Sequence, residues 1–197
     1  MEYIAHRINT VEELKQIPCE FGIELDIRDY KDNLILQHDP FKNGEDFEIF
    51  LNHYNHGTMI LNIKSEGIEY RILDLLNKYK INEYFFLDSS FPMINVLSAN
   101  GEKNIALRFS EFEGSDTILS MYKKIKWIWV DCFTKLPITF EKYKFFKEHN
   151  YNLCLVSPEL QNQDHKIETY KQCIQNEGIK FDSICTKYKN INRWISK

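Results

Sequence analysis

Glycine is scarce in this 197-residue sequence: there are seven, and none is spaced as G-x-G-x-x-G or as a phosphate-cradling P-loop. Nucleotide cradles built on glycine-rich turns are therefore excluded. Cysteine is scarcer still. The five (Cys19, Cys132, Cys154, Cys173 and Cys185) are an odd number with no C-x-x-C spacing. Neither a zinc site nor a disulfide framework is expected from them, and free thiols in a reducing cytosol are. No run reaches 18 apolar residues, and the opening MEYIAHRINT lacks the basic-then-apolar profile of a signal peptide. The expectation is a cytoplasmic protein with no stable membrane insertion. Positive charge is not in surplus either. Lys and Arg total 25 against 29 Asp and Glu, for a net charge of −4, and the pI is about 5.9. The lysines are spread along the chain, so no nucleic-acid partner is expected.

What is present is ample material for a core. Hydrophobic residues make up 43% and aromatics 14%, in a length that suits one domain spanning residues 1–197. Short apolar runs alternate with longer amphipathic ones. Strands are predicted at EYIAH (2–6), GIELDI (22–27) followed by NLILQH (33–38), TMILNIK (58–64), EYFFLDS (83–89), NIALRFS (104–110), KWIWVDCF (126–133), YNLCLVS (151–157) and FDSICTK (181–187). Between them lie helical patterns at 10–17, 45–54, 68–80, 92–100, 115–125, 139–150, 166–178 and 190–197. In the third of these Ile72, Leu73, Leu75, Leu76 and Tyr79 line one helix face. Thr10 with Glu13 reads as a capping box, Ser115 as the cap of the fifth helix and Pro92 as a first-turn residue. With GIELDI and NLILQH counted as one bent strand or hairpin, eight strands alternate with eight helices, which implies a parallel sheet. Units of about 25 residues would close a compact α/β (β/α)8 TIM barrel near its lower limit of roughly 200 residues. An open doubly wound sheet is the structural alternative.

The strand GIELDI poses the functional question. Side chains two apart on a strand share a face, so Glu24 and Asp26 point one way while Ile23, Leu25 and Ile27 point the other. Two carboxylates crowded on an inward face repel each other and lose hydration, and a divalent cation relieves both. Other strands also end in polar groups: His6-Arg7, His38-Asp39, Asn62 and Lys64, Asp88, Arg108, Asp131, and Glu159 beyond LCLVSP. In a barrel these ends converge on one mouth, where active sites form. Singly, each reads as a solvated loop residue or a charge met by its neighbour, as Arg108 with Asp131. His6 and His38, each following an apolar strand run, flank the Glu-x-Asp pair and suit an acid and a base. His53, His56, His149 and His165 read as surface residues.

The succession A-H-R-x-N-T, G-x-E-x-D-I and L-x-L-x-H-D over residues 4–40 resembles the glycerophosphodiester phosphodiesterases. More distantly it is similar to phosphatidylinositol-specific phospholipase C-like barrels and the sphingomyelinase D toxins. Fainter echoes follow in LNIK (61–64), SSF (89–91) and FDSICTKYK (181–189). The resemblance implies that His6 and His38 are the acid/base pair and that Glu24 and Asp26 bind Mg²⁺ or Ca²⁺. It also implies that Arg7 and Lys64 hold the phosphate, with Arg108 as a further phosphate-binding candidate. The partner would be a small phosphodiester, either a glycerophosphodiester or a phosphodiester-linked polyol or sugar. The expected activity is metal-dependent hydrolysis; the alternatives are a lyase that stops at a cyclic phosphate, or an impaired barrel that only binds phosphorylated ligands or a protein. The chain departs from the family pattern in four places. Ile8 stands where a glycine follows His-Arg, Asn62 replaces the carboxylate of E-x-K, Lys187 replaces the Asp of the closing turn, and the insertion after HD shrinks to PFKNGED. Asn62, Asp88 and Asp131 are the candidates for a third metal ligand.

Overall fold

The computed structural model describes residues 1–195; the predicted end of the last helix, at Ser196 and Lys197, lies outside them. Eight strands run parallel in one curled sheet among the described residues. In chain order they are β1 (Glu2–Ala5), β2 (Gly22–Tyr30), β5 (Met59–Ile63), β6 (Tyr84–Leu87), β7 (Ala106–Phe109), β8 (Trp127–Val130), β9 (Asn152–Val156) and β10 (Ser183–Thr186). GIELDI and NLILQH form a hairpin. Strand β3 (Asn33–Leu36) returns antiparallel along the end of β2, pairing Ile27 with Leu36, and a short β4 (Glu45–Asp46) that the sequence pattern did not predict adds to it.

All eight predicted helices form: α1 (Val11–Leu14), α2 (Phe47–Leu51), α3 (Glu69–Tyr79), α4 (Phe91–Ala99), α5 (Asp116–Ser120), α6 (Phe140–Glu148), α7 (Ile167–Asn176) and α8 (Ile191–Ile195). Their local signals are partly as expected. Thr10 Oγ1 accepts from Glu13 N at 3.1 Å, and Pro92 sits in the first turn of α4 behind a Ser90 cap. Ser115, in contrast, makes no cap hydrogen bond: its backbone is already helical, at φ −83° and ψ −4°, rather than extended as a cap requires, and its hydroxyl accepts from Lys142 Nζ at 3.0 Å.

Sheet order runs β6-β5-β2-β1-β10-β9-β8-β7. The two ends, β6 and β7, meet at a single parallel bridge, Phe86 to Ile105, where Phe86 N donates to Asn104 O at 2.8 Å. The expected continuous ladder around a closed barrel is reduced to that one bridge. Two residues on, Asp88 has left the extended conformation, at φ +61°.

The alternation of strand residues sorts the core into two layers. Ala5, Ile23, Leu25, Ile27, Leu61, Phe86, Val130 and Leu155 face outward and pack beneath the helices. The opposite parity, Ile4, Ile60, Phe85, Leu87, Ala106, Trp129, Cys154, Val156 and Cys185, forms a separate apolar cluster inside the curl. Glu24, Asp26 and Asn62 share that inner parity through the register Glu24–Ile60 and Asp26–Asn62.

At the other end of the strands, the Glu2 carboxylate accepts from Thr58 N and Thr58 Oγ1, both at 2.6 Å. Here β2 starts at a glycine by necessity: a Cβ on Gly22 would lie 2.5 Å from the Thr58 carbonyl oxygen and 3.0 Å from Ile4 Cγ1. Gly22→Ala should therefore push β2 away from β1 and β5. Such overpacking costs about 1–3 kcal/mol, or a melting temperature lower by roughly 2–12 °C; an unchanged melting temperature by calorimetry would refute this placement.

Candidate active site

At the C-terminal ends of the strands, His6, Arg7, Glu24, His38, Asn62, Lys64, Asp88, Arg108, Asp131 and Gln161 line one polar cavity of about 190 Å³, floored by Leu87, Trp129 and Val156. Asp26 lies beside it, 1% exposed like Glu24. Every site residue expected from the sequence is thus gathered in one place. A roomier hollow of about 610 Å³ lies between α5 and α6, but its lining holds no imidazole and its carboxylates, Asp116, Glu141 and Glu148, are exposed.

The two carboxylates of β2 are each gripped by the turn that follows β1. Arg7 N donates to Glu24 Oε2 at 2.7 Å, and Ile8 N donates to the Glu24 carbonyl at 2.8 Å. Reaching this position puts Arg7 at φ +58°, a left-handed conformation unfavourable for a non-glycine residue. Asn9 clamps Asp26 from both sides of its amide, accepting from Asp26 N at 2.8 Å and donating to Oδ2 at 3.0 Å. The Arg7 guanidinium adds an ion pair to the same oxygen at 3.4 Å. His6 Nε2 stands 3.6 Å from Glu24 Oε2.

On the facing side, His38 Nδ1 lies 2.9 Å from Asp39 Oδ1. The His38 hydrogen bond, aided by Lys42, holds the Asp39 carboxyl down at about 2. An ionised carboxylate only accepts, so Nδ1 is the donor and Nε2 is the ring position left to exchange a proton.

Around the rest of the mouth, charges alternate from strand to strand. Lys64 Nζ donates to Asn62 Oδ1 at 2.7 Å and stands 3.5 Å from Asp26 Oδ1 and 3.8 Å from Asp88 Oδ2. Arg108 grips Asp88 with two bonds, at 2.7 and 2.8 Å, and donates to Asp131 Oδ2 at 2.6 Å. Burial alone would lower the Arg108 pKa, but the Asp88 and Asp131 carboxylates reverse this and raise it. Asp131 Oδ1 accepts from Cys132 N at 2.8 Å and Gln161 Nε2 at 2.9 Å. Glu159, also a strand-end carboxylate, is buried against Ser157, Thr186 and Lys187 N.

A hard divalent cation needs oxygen ligands, several of them charged. Glu24 and Asp26 meet that chemistry, and Asp26 Oδ1 is a buried carboxylate oxygen with no hydrogen-bond donor. The donor set fits the cation at these two residues. Asp88 and Asp131, by contrast, are engaged by Arg108, and the Asn62 oxygen is engaged by Lys64. Among the described residues no group of three or more His, Cys, Asp and Glu converges as a metal site. Burial raises the pKa of the Cys132, Cys154 and Cys185 thiols, so these cysteines are poor nucleophiles.

Three residues were not assigned roles from the sequence. Asp39 and Asn9 stood within the quoted motifs, where H-D and N-T carried a signal. Gln161 reaches Asp131 from a 3₁₀ turn at Pro158–Gln161, and no sequence pattern announced it.

No family model matches the chain, and no curated protein does either. Solved structures do. A glycerophosphodiester phosphodiesterase from Agrobacterium tumefaciens superposes with a TM-score of 0.68 at 12% identity, over 100% of both chains. A glycerophosphoryl diester phosphodiesterase from Parabacteroides distasonis gives 0.67 at 13% identity, covering 99% of this chain and 86% of that one. The chain has the fold of these phosphodiesterases. At such identities the likeness shows the fold alone.

Arg108 offers a structural test of the mouth. Replacing it by Met removes the cation from Asp88 and from Asp131, the latter 1% exposed. Removing one partner of a buried pair costs about 3–5 kcal/mol, and the half-open mouth places this pair at the low end, so Arg108→Met should lose roughly 3 kcal/mol in urea titrations. A loss below about 1 kcal/mol, the scale of a surface pair, would mean that Arg108 does not neutralise a buried charge.

Proposed function

We propose that the protein is a phosphodiester hydrolase built on a single (β/α)8 barrel whose seam lies between β6 and β7. The observation that carries this reading is the convergence of two imidazoles, three cationic side chains and a buried carboxylate pair at one small polar cavity. The substrate class is a glycerophosphodiester or a related phosphodiester-linked polyol or sugar. All five cysteines are free thiols. No helix among the described residues is long and apolar enough to cross a membrane.

Arg7 and Lys64 would hold the non-bridging oxygens of the phosphate. One imidazole takes the proton from the attacking hydroxyl as its oxygen bonds to phosphorus. The other gives its proton to the departing alcohol oxygen as the old P–O bond breaks. An attacking hydroxyl on the substrate itself gives a cyclic phosphate, which water then opens with the two imidazoles exchanging roles. Asp39 fixes the His38 ring so that Nε2 is the atom that exchanges the proton. Glu24 and Asp26 would hold a divalent cation, Mg²⁺ or Ca²⁺, which would supply positive charge against the charge that builds on the phosphoryl oxygens.

Charge arithmetic supports the need for it. Arg7, Lys64 and Arg108 are already engaged by carboxylates. With Glu24, Asp26, Asp88 and Asp131 opposing these three cations and the one protonated imidazole that the reaction needs, the mouth has no positive charge to spare. A phosphodiester monoanion would find every cation there already engaged, and a divalent cation would supply the missing charge.

Assayed on a panel of glycerophosphodiesters, His6→Ala and His38→Ala should each lower kcat at least about 10²-fold, the scale of a positioned proton-transfer group, with melting temperatures retained. His53→Ala is the matched control and should be silent. Losses below tenfold in both histidine variants would refute two-histidine catalysis.

A further inference from the structure

Asn62 can adopt only one amide orientation. Its two ends face Lys64 Nζ, at 2.7 Å, and Glu24 Oε1, at 2.8 Å. An ammonium only donates and a carboxylate only accepts. A flipped amide would set NH₂ against NH₃⁺ and C=O against carboxylate, so Oδ1 belongs to Lys64 and Nδ2 to Glu24. Asn62, 8% exposed, therefore presents a donor to the carboxylate pair and withholds its oxygen from any cation bound there.

The same network limits what the protein offers that cation. Glu24 Oε2 is bonded by Arg7 N and Glu24 Oε1 by Asn62. Asp26 Oδ2 is bonded by Asn9, and only Asp26 Oδ1 lacks a donor. Calcium takes six to eight oxygens and magnesium six, with affinity set largely by ligand charge count. Two carboxylates leave such a shell short of both oxygens and charge. A phosphodiester brings non-bridging oxygens and one negative charge, which are the missing parts. The anion, for its part, finds Arg7, Lys64 and Arg108 already engaged by carboxylates.

We infer that Asn62 leaves the cation site half-built, so that cation and phosphodiester bind as a linked pair and each is held weakly without the other. This rests on the phosphodiesterase reading above and adds an order to it: the cation is retained with substrate and released with product. Asn62 acts here as a positioning residue, through Glu24 and Lys64. Linkage requires the coupling to be reciprocal, with each ligand tightening the other by the same factor.

Isothermal titration of the full chain tests this with Ca²⁺ and dimethyl phosphate, a phosphodiester monoanion with no neighbouring hydroxyl to attack it. Ca²⁺ should bind at least about tenfold more tightly with excess dimethyl phosphate than alone, and dimethyl phosphate should gain by the same factor from Ca²⁺. Asn62→Asp, nearly isosteric and with one more charge, should bind Ca²⁺ alone about tenfold more tightly and show less coupling. Asn62→Glu serves if the Asp variant is misfolded by circular dichroism. Ca²⁺ affinity that ignores dimethyl phosphate would overturn the linkage and leave the phosphodiesterase reading standing. So would dimethyl phosphate binding tightly with no response to Ca²⁺, since Arg7 and Lys64 would then suffice. Failure to bind dimethyl phosphate under any condition would overturn both.

Discussion

Two carboxylates buried side by side on the inner face of β2 are the constraint around which the mouth is organised. Glu24 and Asp26 are each 1% exposed, and an unpaired buried charge costs several kcal/mol. The surrounding chain answers that cost locally. The β1–α1 turn bends through a left-handed Arg7 to bring a backbone N–H and a guanidinium to bear. Asn9 caps Asp26, Asn62 donates to Glu24, and Lys64 supplies an ammonium. These partners come from the turn after β1 and from β5, the two strands that flank β2. Parallel pairing with β2 in the middle is what allows one carboxylate pair to be served from both sides.

The same inner face changes character along its length. Ile4, Ile60, Phe85, Cys154 and Cys185 fill the interior with apolar side chains, and the polar groups begin where the strands end. Water is therefore shut out below the site while the mouth stays open above it. Fields inside such a site are stronger than in bulk water, which is why the alternation of Asp26, Lys64, Asp88, Arg108 and Asp131 keeps each charge beside its opposite. Arg108 is the hinge of that arrangement. A phosphate-binding candidate from the sequence, it gives its guanidinium edge to Asp88 and a further donor to Asp131.

Much of this was legible before any coordinates, and for a physical reason. Period-two alternation in GIELDI places Glu24 and Asp26 together, and a histidine directly after an apolar strand is carried to the strand end. Those are local consequences of backbone geometry. The strand–helix alternation likewise made the eight parallel strands readable. What local reasoning could not reach depends on partners far along the chain. Ser115 carries a cap signature, yet its hydroxyl accepts from Lys142, 27 residues away. Gln161 meets Asp131 through a 3₁₀ turn with no recognisable spacing. The thinning of the sheet to one bridge between Phe86 and Ile105 leaves no trace in the apolar pattern of EYFFLDS or NIALRFS. Asn62 was legible as a departure, whereas its hydrogen-bonding direction required seeing Lys64 and Glu24 at its two ends.

The central claim is that a neutral and a protonated imidazole act together on a phosphodiester. The pH dependence of kcat/KM for glycerophosphocholine, with cation in excess, tests it most directly, because it reports the free enzyme's essential acid and base. The account predicts a bell, falling with unit slope on both sides of its optimum, because the reaction needs one imidazole without its second proton and the other with it. A profile flat from pH 5 to 9, or one with a single limb, would contradict the paired-imidazole mechanism.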